Sequence, residues 1–279
     1  MNKITRLSRN FHKSFKPERH YINYLLRFAA TGKAGDFQEI ARQTGIPVGS
    51  SSGKVPAIID YCRGMGLITL AGNKPSSVKQ PVPTMLGNIV LQEDPFLKAE
   101  LTQWICHLNL CKVIGGAEAW HATFFHGRDK LGMEFTRESL EMHLKRVLNT
   151  DTSGLIGPMV GMYEDEASFG ACAALSEEKN TIRRRAAPIG EEYAYGYGAW
   201  LLQLAQDHFP KQDQISILDL NTEAGCRDVP GWNIDSFQQV LSLMESKGIL
   251  RVDRQMQPWL IQAKIRPEQA LKSLYDDLI

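Results

Sequence analysis

"IPVGSSSGKVPAIIDYCRGMGLI", residues 46–68, decides the fold. A glycine–serine run followed by lysine suggests a loop that cradles a nucleotide phosphate. A phosphate loop needs a glycine five places before Gly53, and a hydroxyl directly after Lys54 to hold magnesium. Those two positions are Val48 and Val55, and the next residue is Pro56, which has no N–H to offer a phosphate. The upstream stretch "GDFQEIARQTG", residues 35–45, reads as a helix where a phosphate loop needs a strand. Phe37, Ile40 and Ala41 recur at helical spacing, Asp36 and Glu39 form a capping-box pattern, and Gly45 is a stop signal. The nucleotide reading fails.

Working outward, "HYINYLLRFAATG" (20–32) reads as a first helix with Tyr21, Leu25 and Phe28 on one side, and Asp36 to Thr44 as a second. "GSSSGK" is then a turn whose serines cap a third helix running to about Arg63, with Val55, Ile58, Ile59 and Cys62 as its buried stripe. Pro56 belongs in its first turn. Leu67, Ile68 and Leu70 are strand-like, and "AGNKP" is turn chemistry. Three helices followed by a β-wing make a winged helix-turn-helix, whose third helix enters the major groove by its N-terminal residues. Ser50, Ser51, Ser52 and Lys54 are therefore expected at DNA, with Arg42, Arg63, Lys74 and Lys79 reaching phosphates from the flanks and the wing. Such contacts position a protein on the backbone and carry little sequence information. Winged helices also serve as protein-docking units.

Charge favours DNA. Residues 1–80 carry thirteen Lys/Arg against four acids, a net of +9; the remainder carries 19 basic and 27 acidic residues, a net of −8. The leading part is built to face a polyanion and the rest to face something else. At 279 residues, 43% of them apolar, the chain is long enough for two or three small domains. Its five cysteines are scattered and form no CxxC pair, which fits a reduced, cytoplasmic protein. No apolar run reaches the ~20 residues of a membrane helix. No apolar stretch follows the basic N-terminus as a signal peptide requires.

Further along, "EDPFLKAELTQWICHLNLCKV" (93–113) reads as a helix with Asp94 as N-cap and Pro95 at the first position, its apolar face formed by Leu97, Leu101, Trp104, Ile105 and Leu108. Two more helices follow, at 115–126 and, opened by Thr136, at 135–148. Residues 149–190 are irregular, with opposed charge clusters "EDE" (164–166) and "RRR" (183–185); such runs are solvated faces, and "RRR" could also touch a phosphate backbone. The C-terminal third repeats the opening plan. A helix at 197–210 and a helical or extended "SILDLN" precede a helix at 233–250, capped by Asn233 or Asp235 and ended by Gly248, and a hairpin follows. The expected fold is mostly α with small β-wings. It has a basic winged-helix DNA-binding domain at 1–90, a helical middle at 91–190 and an acidic winged-helix-like domain at 191–279.

No active site is legible. Glu93 and Asp94 are candidate metal carboxylates, but capping accounts for Asp94. His121 and His126, five apart on a helix, do not share a face. His107, near an apolar stripe, reads as a hydrogen-bonded core histidine. Zinc, esterase and nucleotide motifs are absent from the sequence.

Four stretches together resemble a bacterial family catalogued as a domain of unknown function, number four thousand and seven: "FHKSFKPERHYINYLL" (11–26), residues 45–68, "EDPFLKAELTQWICHL" (93–108) and "LDLNTEAGCRDVPGWNIDSF" (218–237). Asp94, Pro95, Phe96, Leu97, Trp104 and His107 carry its most specific part. Where relatives tend to have asparagine in the glycine turn, this chain has Ser51 or Ser52. The resemblance implies a place beside sulfurtransferase-like proteins in systems that put sulfur into the DNA backbone for defence against phage, where one component is thought to nick DNA. The resulting expectation is a DNA-binding component that holds double-stranded DNA for a sulfurtransferase-like partner and needs no cofactor. The alternatives are a metal-dependent nickase of the same system using Mg²⁺ or Mn²⁺, and a transcriptional regulator.

Overall fold

The first helix, α1 (Arg19–Ala30), buries Ile22, Leu25, Leu26 and Ala29, one helical face; Tyr21 sits at the edge of that face, half-buried. Local signals then set α2 (Phe37–Thr44). Asp36 accepts the Glu39 N–H at 2.8 Å, and Gly45 closes the helix at φ 71°. Helix α3 (Lys54–Gly64) buries Val55, Ile58, Ile59 and Cys62 as the spacing requires, with Pro56 in its first turn. Its N-cap is Gly53 at φ 61°, which has no side chain to cap with; Ser50, Ser51 and Ser52, expected to cap it, lie outside the described residues. This computed structural model describes residues 6–48, 53–72, 77–149, 152 and 154–278.

Strand β1 (Ile68–Leu70) pairs antiparallel with β2 (Pro81–Pro83), Thr69 opposite Val82, and a single bridge ties Gly35 to Lys79. Thr84 caps α4 (Met85–Glu93) through the Gly87 N–H and donates to the Gly66 carbonyl at 2.6 Å. Gly87 must lack a side chain: a Cβ there would lie 2.0 Å from the Leu67 carbonyl oxygen.

The chain separates into two compact units, Met1–Arg184 and Arg185–Ile279. About half of the protein is helical, with small antiparallel sheets. The helix expected from Asp94 begins later, as α5 (Glu100–Leu110). Asp94 ends α4 instead. Its carboxylate accepts the Lys98 and Ala99 N–H groups at 2.8 and 2.9 Å and so shapes the turn that leads into α5. The stretch expected as one helix at 115–126 divides into α6 (Glu118–His121) and a π-helical turn, Ala122–His126. Helices α7 (Arg128–Leu131), α8 (Arg137–Leu148) and α9 (Ile156–Glu164) follow, α8 capped by Thr136 as expected. Strands β3 (Glu134–Thr136), β4 (Leu175–Glu178) and β5 (Thr181–Arg184) form a sheet in the order β3-β5-β4. Residues 149–190 therefore carry more regular structure than their sequence suggests.

In the second unit, α10 (Ala194–His208) precedes β6 (Ile215–Ser216), α11 (Ile217–Ala224), α12 (Ile234–Ser246), β7 (Leu250–Asp253), β8 (Leu260–Ala263) and α13 (Pro267–Lys272). Asn233, not Asp235, caps α12 through the Ser236 N–H. "SILDLN" is both extended and helical: Ile215–Ser216 pairs with β8, and Ser216 then caps α11. From α10 to β8 the order is helix, short strand, helix, helix, hairpin. Residues 19–83 follow the same order, with the Gly35 bridge in place of β6.

The core of the first unit centres on Trp104, Trp120, Tyr61, Tyr163, Phe124 and Phe169, and that of the second on Trp232 and Tyr197. All five cysteines are buried and none forms a disulfide.

Candidate nucleic-acid interface

The basic N-terminal residues divide into those spent on the fold and those left at the surface. Arg6 donates to the Val113 carbonyl at 2.7 Å, Lys16 pairs with Asp165, and Arg19 donates to the carbonyls of Phe96 and Glu166. Lys54 belongs to the same group. Its ammonium lies 2.6 Å from Glu18 and over the rings of Phe15 and Tyr21, with 15% of the side chain exposed. The tip of α3 thus presents an engaged lysine. Lys74 of the hairpin turn lies outside the described residues.

Among the described residues, two surface groups stand out. Asp60 is half-ringed by Arg63, at 2.7 Å, and by Lys13 and Lys79; burial raises its carboxyl pKa and these cations oppose the rise. Arg63 sits at the C-terminal end of α3, about ten residues and so roughly 15 Å from its tip. The second group lies between α1 and α2, where Tyr24, Arg27, Phe28, Thr31, Lys33 and Gln43 line a shallow depression of about 310 Å³. Arg42, with 73% of its side chain exposed, stands beside it and pairs with Glu39, which holds the guanidinium pKa up. Of the residues expected at DNA, the structure sets Arg63 and Lys79 together and Arg42 apart from them. Arg27 and Lys33 were not among the candidates. Their only sequence signal was the charge count, since their convergence on the α1–α2 depression is tertiary.

The candidate chemical residues resolve differently. His107 is a buried core histidine: its Nδ1 lies 2.6 Å from the Tyr163 hydroxyl, which also accepts the Trp120 N–H at 2.9 Å. Burial drives its pKa down to about 3. The expectation that His121 and His126 diverge is overturned. The π-helical turn between them, with its i→i+5 hydrogen bonds, is wider than an α-helical one, and their rings meet edge to face at 4.8 Å. His143 donates its Nε2–H to the Ala122 carbonyl of the same turn, 2.9 Å away. Among the described residues no three His, Cys, Asp or Glu side chains are grouped to hold a metal ion.

Strand alternation splits the "RRR" run. Arg183 points outward to Glu134 and Glu178, while Arg184 is 6% exposed. Its guanidinium lies over Phe124 and Phe135 and donates to the Thr123 carbonyl at 2.6 Å; Nε and Nη1 have no partner. Burial lowers its pKa to about 10, assisted by nearby Arg128. No described helix is long and apolar enough to cross a membrane.

Two solved structures share the fold. A magnesium ion-bound SspB matches with a TM-score of 0.70 and 16% identity, covering 96% of this chain and 88% of that one. A second SspB structure matches at 0.67 and 15%, covering 98% and 90%. Neither a family model nor a curated protein matches the chain, so the resemblance to the numbered family rests on its four quoted stretches.

Proposed function

We propose that this chain is a DNA-binding component of a bacterial DNA phosphorothioation system, and that its leading segment is a winged helix that holds duplex DNA while the acidic C-terminal unit docks the sulfur-transfer partner. The observation that carries the reading is the SspB-like fold over 96% of the chain. SspB is a protein of a phosphorothioation system, the same context that the sequence resemblance implies.

The surface charges supply the physical means. Arg27, Lys33 and Arg42 on one side, and Lys13, Arg63 and Lys79 on the other, offer cations to phosphates, with Ser50 to Ser52 and Lys74 as additional contacts. These groups recognise backbone charge, so binding is weakly sequence-dependent. Neutralising about four to six phosphates gives log K against log salt a slope near −4 to −5. Gel shifts with a duplex at two salt concentrations test this. A shift that vanishes with added salt supports the reading; absent or salt-insensitive binding removes it.

A second reading is a metal-dependent nickase of the same system. One SspB structure being magnesium-bound favours it. Glu93, His121 and His126 do not assemble a metal site among the described residues, so no step is derived through a metal. Open-circle product from supercoiled plasmid with Mg²⁺ or Mn²⁺ would establish this activity, and its absence with both metals would retire it.

A further inference from the structure

The second unit repeats the helix–strand–helix–helix–hairpin order, yet the face at the start of its third helix has a different chemistry. Helices α11 and α12 and the hairpin tip enclose a groove of about 360 Å³. Leu218, Ile234, Phe237, Leu241 and Trp259 line it. Leu218 is 58% and Ile234 61% exposed, and Met256 on the adjoining tip is 79% exposed. Ile234 occupies the first position of α12 and Leu218 the second of α11, where a helix tip that meets phosphates would carry cations or hydroxyls.

Two polar residues of the groove, Asn221 and Arg227, are engaged with Asp228. Asn221 donates to Asp228 at 2.7 Å and accepts the N–H groups of Arg227 and Asp228. Arg227 pairs with Asp228 at 3.1 Å. Arg254 pairs with Glu245 at 2.6 Å and stacks on Trp259. Both cations of the region are thus neutralised. Asp219, Glu223 and Asp235 are exposed and have no ion-pair partner among the described residues. Asp219 and Asp235 suit the positive ends of α11 and α12, which explains two acids but not the exposed apolar side chains between them. The surface is an apolar trough with a surplus of negative charge. That combination repels DNA phosphates and attracts a cationic partner, while the trough takes up the partner's apolar side chains.

We propose that this groove is the docking site for an amphipathic, lysine- or arginine-flanked segment of a partner protein, which inserts one or two bulky apolar side chains between Leu218, Ile234 and Trp259. It deepens the partner-docking part of the proposed function and does not depend on DNA binding by the first unit.

The test uses the full chain and a fluorescent, short helical peptide with leucines on one face and lysines beside them. A second peptide keeps the leucines and replaces each lysine with glutamate. The lysine peptide is expected to bind saturably and the glutamate peptide at least about tenfold more weakly. Leu218→Ser and Ile234→Ser, at exposed positions that leave the fold intact, each weaken the lysine peptide about tenfold or more; Asp235→Lys weakens it severalfold. Melting temperatures of the variants confirm folding. No saturable binding, equal binding of both peptides, or indifference to Leu218→Ser and Ile234→Ser each overturns the proposal. A parallel gel shift with the same proteins separates the two claims. Loss of DNA binding with the peptide pattern intact would sink the DNA reading alone, and the converse would sink the groove alone.

Discussion

The Lys54 ammonium rests 2.6 Å from the Glu18 carboxylate, between a residue that opens α3 and one that precedes α1. This pair joins two helix starts and keeps the lysine against Phe15 and Tyr21. For Lys54 to meet a phosphate the pair must open. Glu18→Gln is therefore expected to raise duplex affinity severalfold and to steepen the salt slope by about one unit. Lys54→Met is expected to lower it. Fluorescence anisotropy at several salt concentrations checks both; a Glu18→Gln protein with unchanged affinity and slope assigns Lys54 to the fold alone.

Arg27, Lys33 and Arg42 are exposed and contribute little to packing. Replacing each with glutamine is expected to weaken duplex binding and to reduce the salt slope by about one per residue, as removal of a phosphate contact does. Melting temperatures should stay close to that of the parent, because exposed ion pairs such as Arg42–Glu39 contribute about 0–1 kcal/mol. Equal slopes in parent and triple variant would exclude this face.

Tyr163→Phe removes a hydroxyl that serves two buried partners, His107 and Trp120. Each loses its bond without access to water. At roughly 1–3 kcal/mol for each orphaned group, the expected loss is about 3 kcal/mol in urea unfolding. A loss below about 1 kcal/mol would mean that the network relaxes onto other partners.

His12 and His107 are held neutral by burial, with pKa values lowered to about 4 and about 3. In the unfolded chain they take a proton near pH 6.5. The unfolded state therefore binds more protons below that value. Stability is fully present above pH 6.5 and is lost as pH falls towards 4 for His12 and 3 for His107, at about 1.4 kcal/mol per pH unit for each residue. His12 Nδ1 accepts the Ser14 N–H at 3.0 Å, a role that asparagine can mimic. His12→Asn is expected to remove one residue's share of the slope between pH 6.5 and 5, measured by urea unfolding at each pH. An unchanged slope would place His12 in contact with water.

The helices at the start of the chain were legible because their signals are local. Asp36, Gly45 and the Val55–Ile58–Ile59–Cys62 stripe act within a few residues. Where a signal had two uses, the sequence misled: Asp94 before Pro95 reads as a helix cap, yet the carboxylate braces a turn in which Leu97 has a φ of 50°. The His121–His126 contact is not legible in the sequence because the π-helical turn breaks the α-helical periodicity between them. Much of the charge surface was illegible for a different reason. The partner of Lys54 lies 36 residues away and that of Lys16 lies 149 away, so which cations face outward is settled by tertiary contacts.

Arg184 is both the last residue of the first unit and a side chain fixed inside that unit's core by Phe124, Phe135 and the Thr123 carbonyl. The backbone therefore leaves the first unit from a staked point. Tension applied through the following residues meets a guanidinium that can be drawn out only by breaking its bond and leaving two aromatic faces bare. A protease that cuts after Arg185 would leave that stake in place.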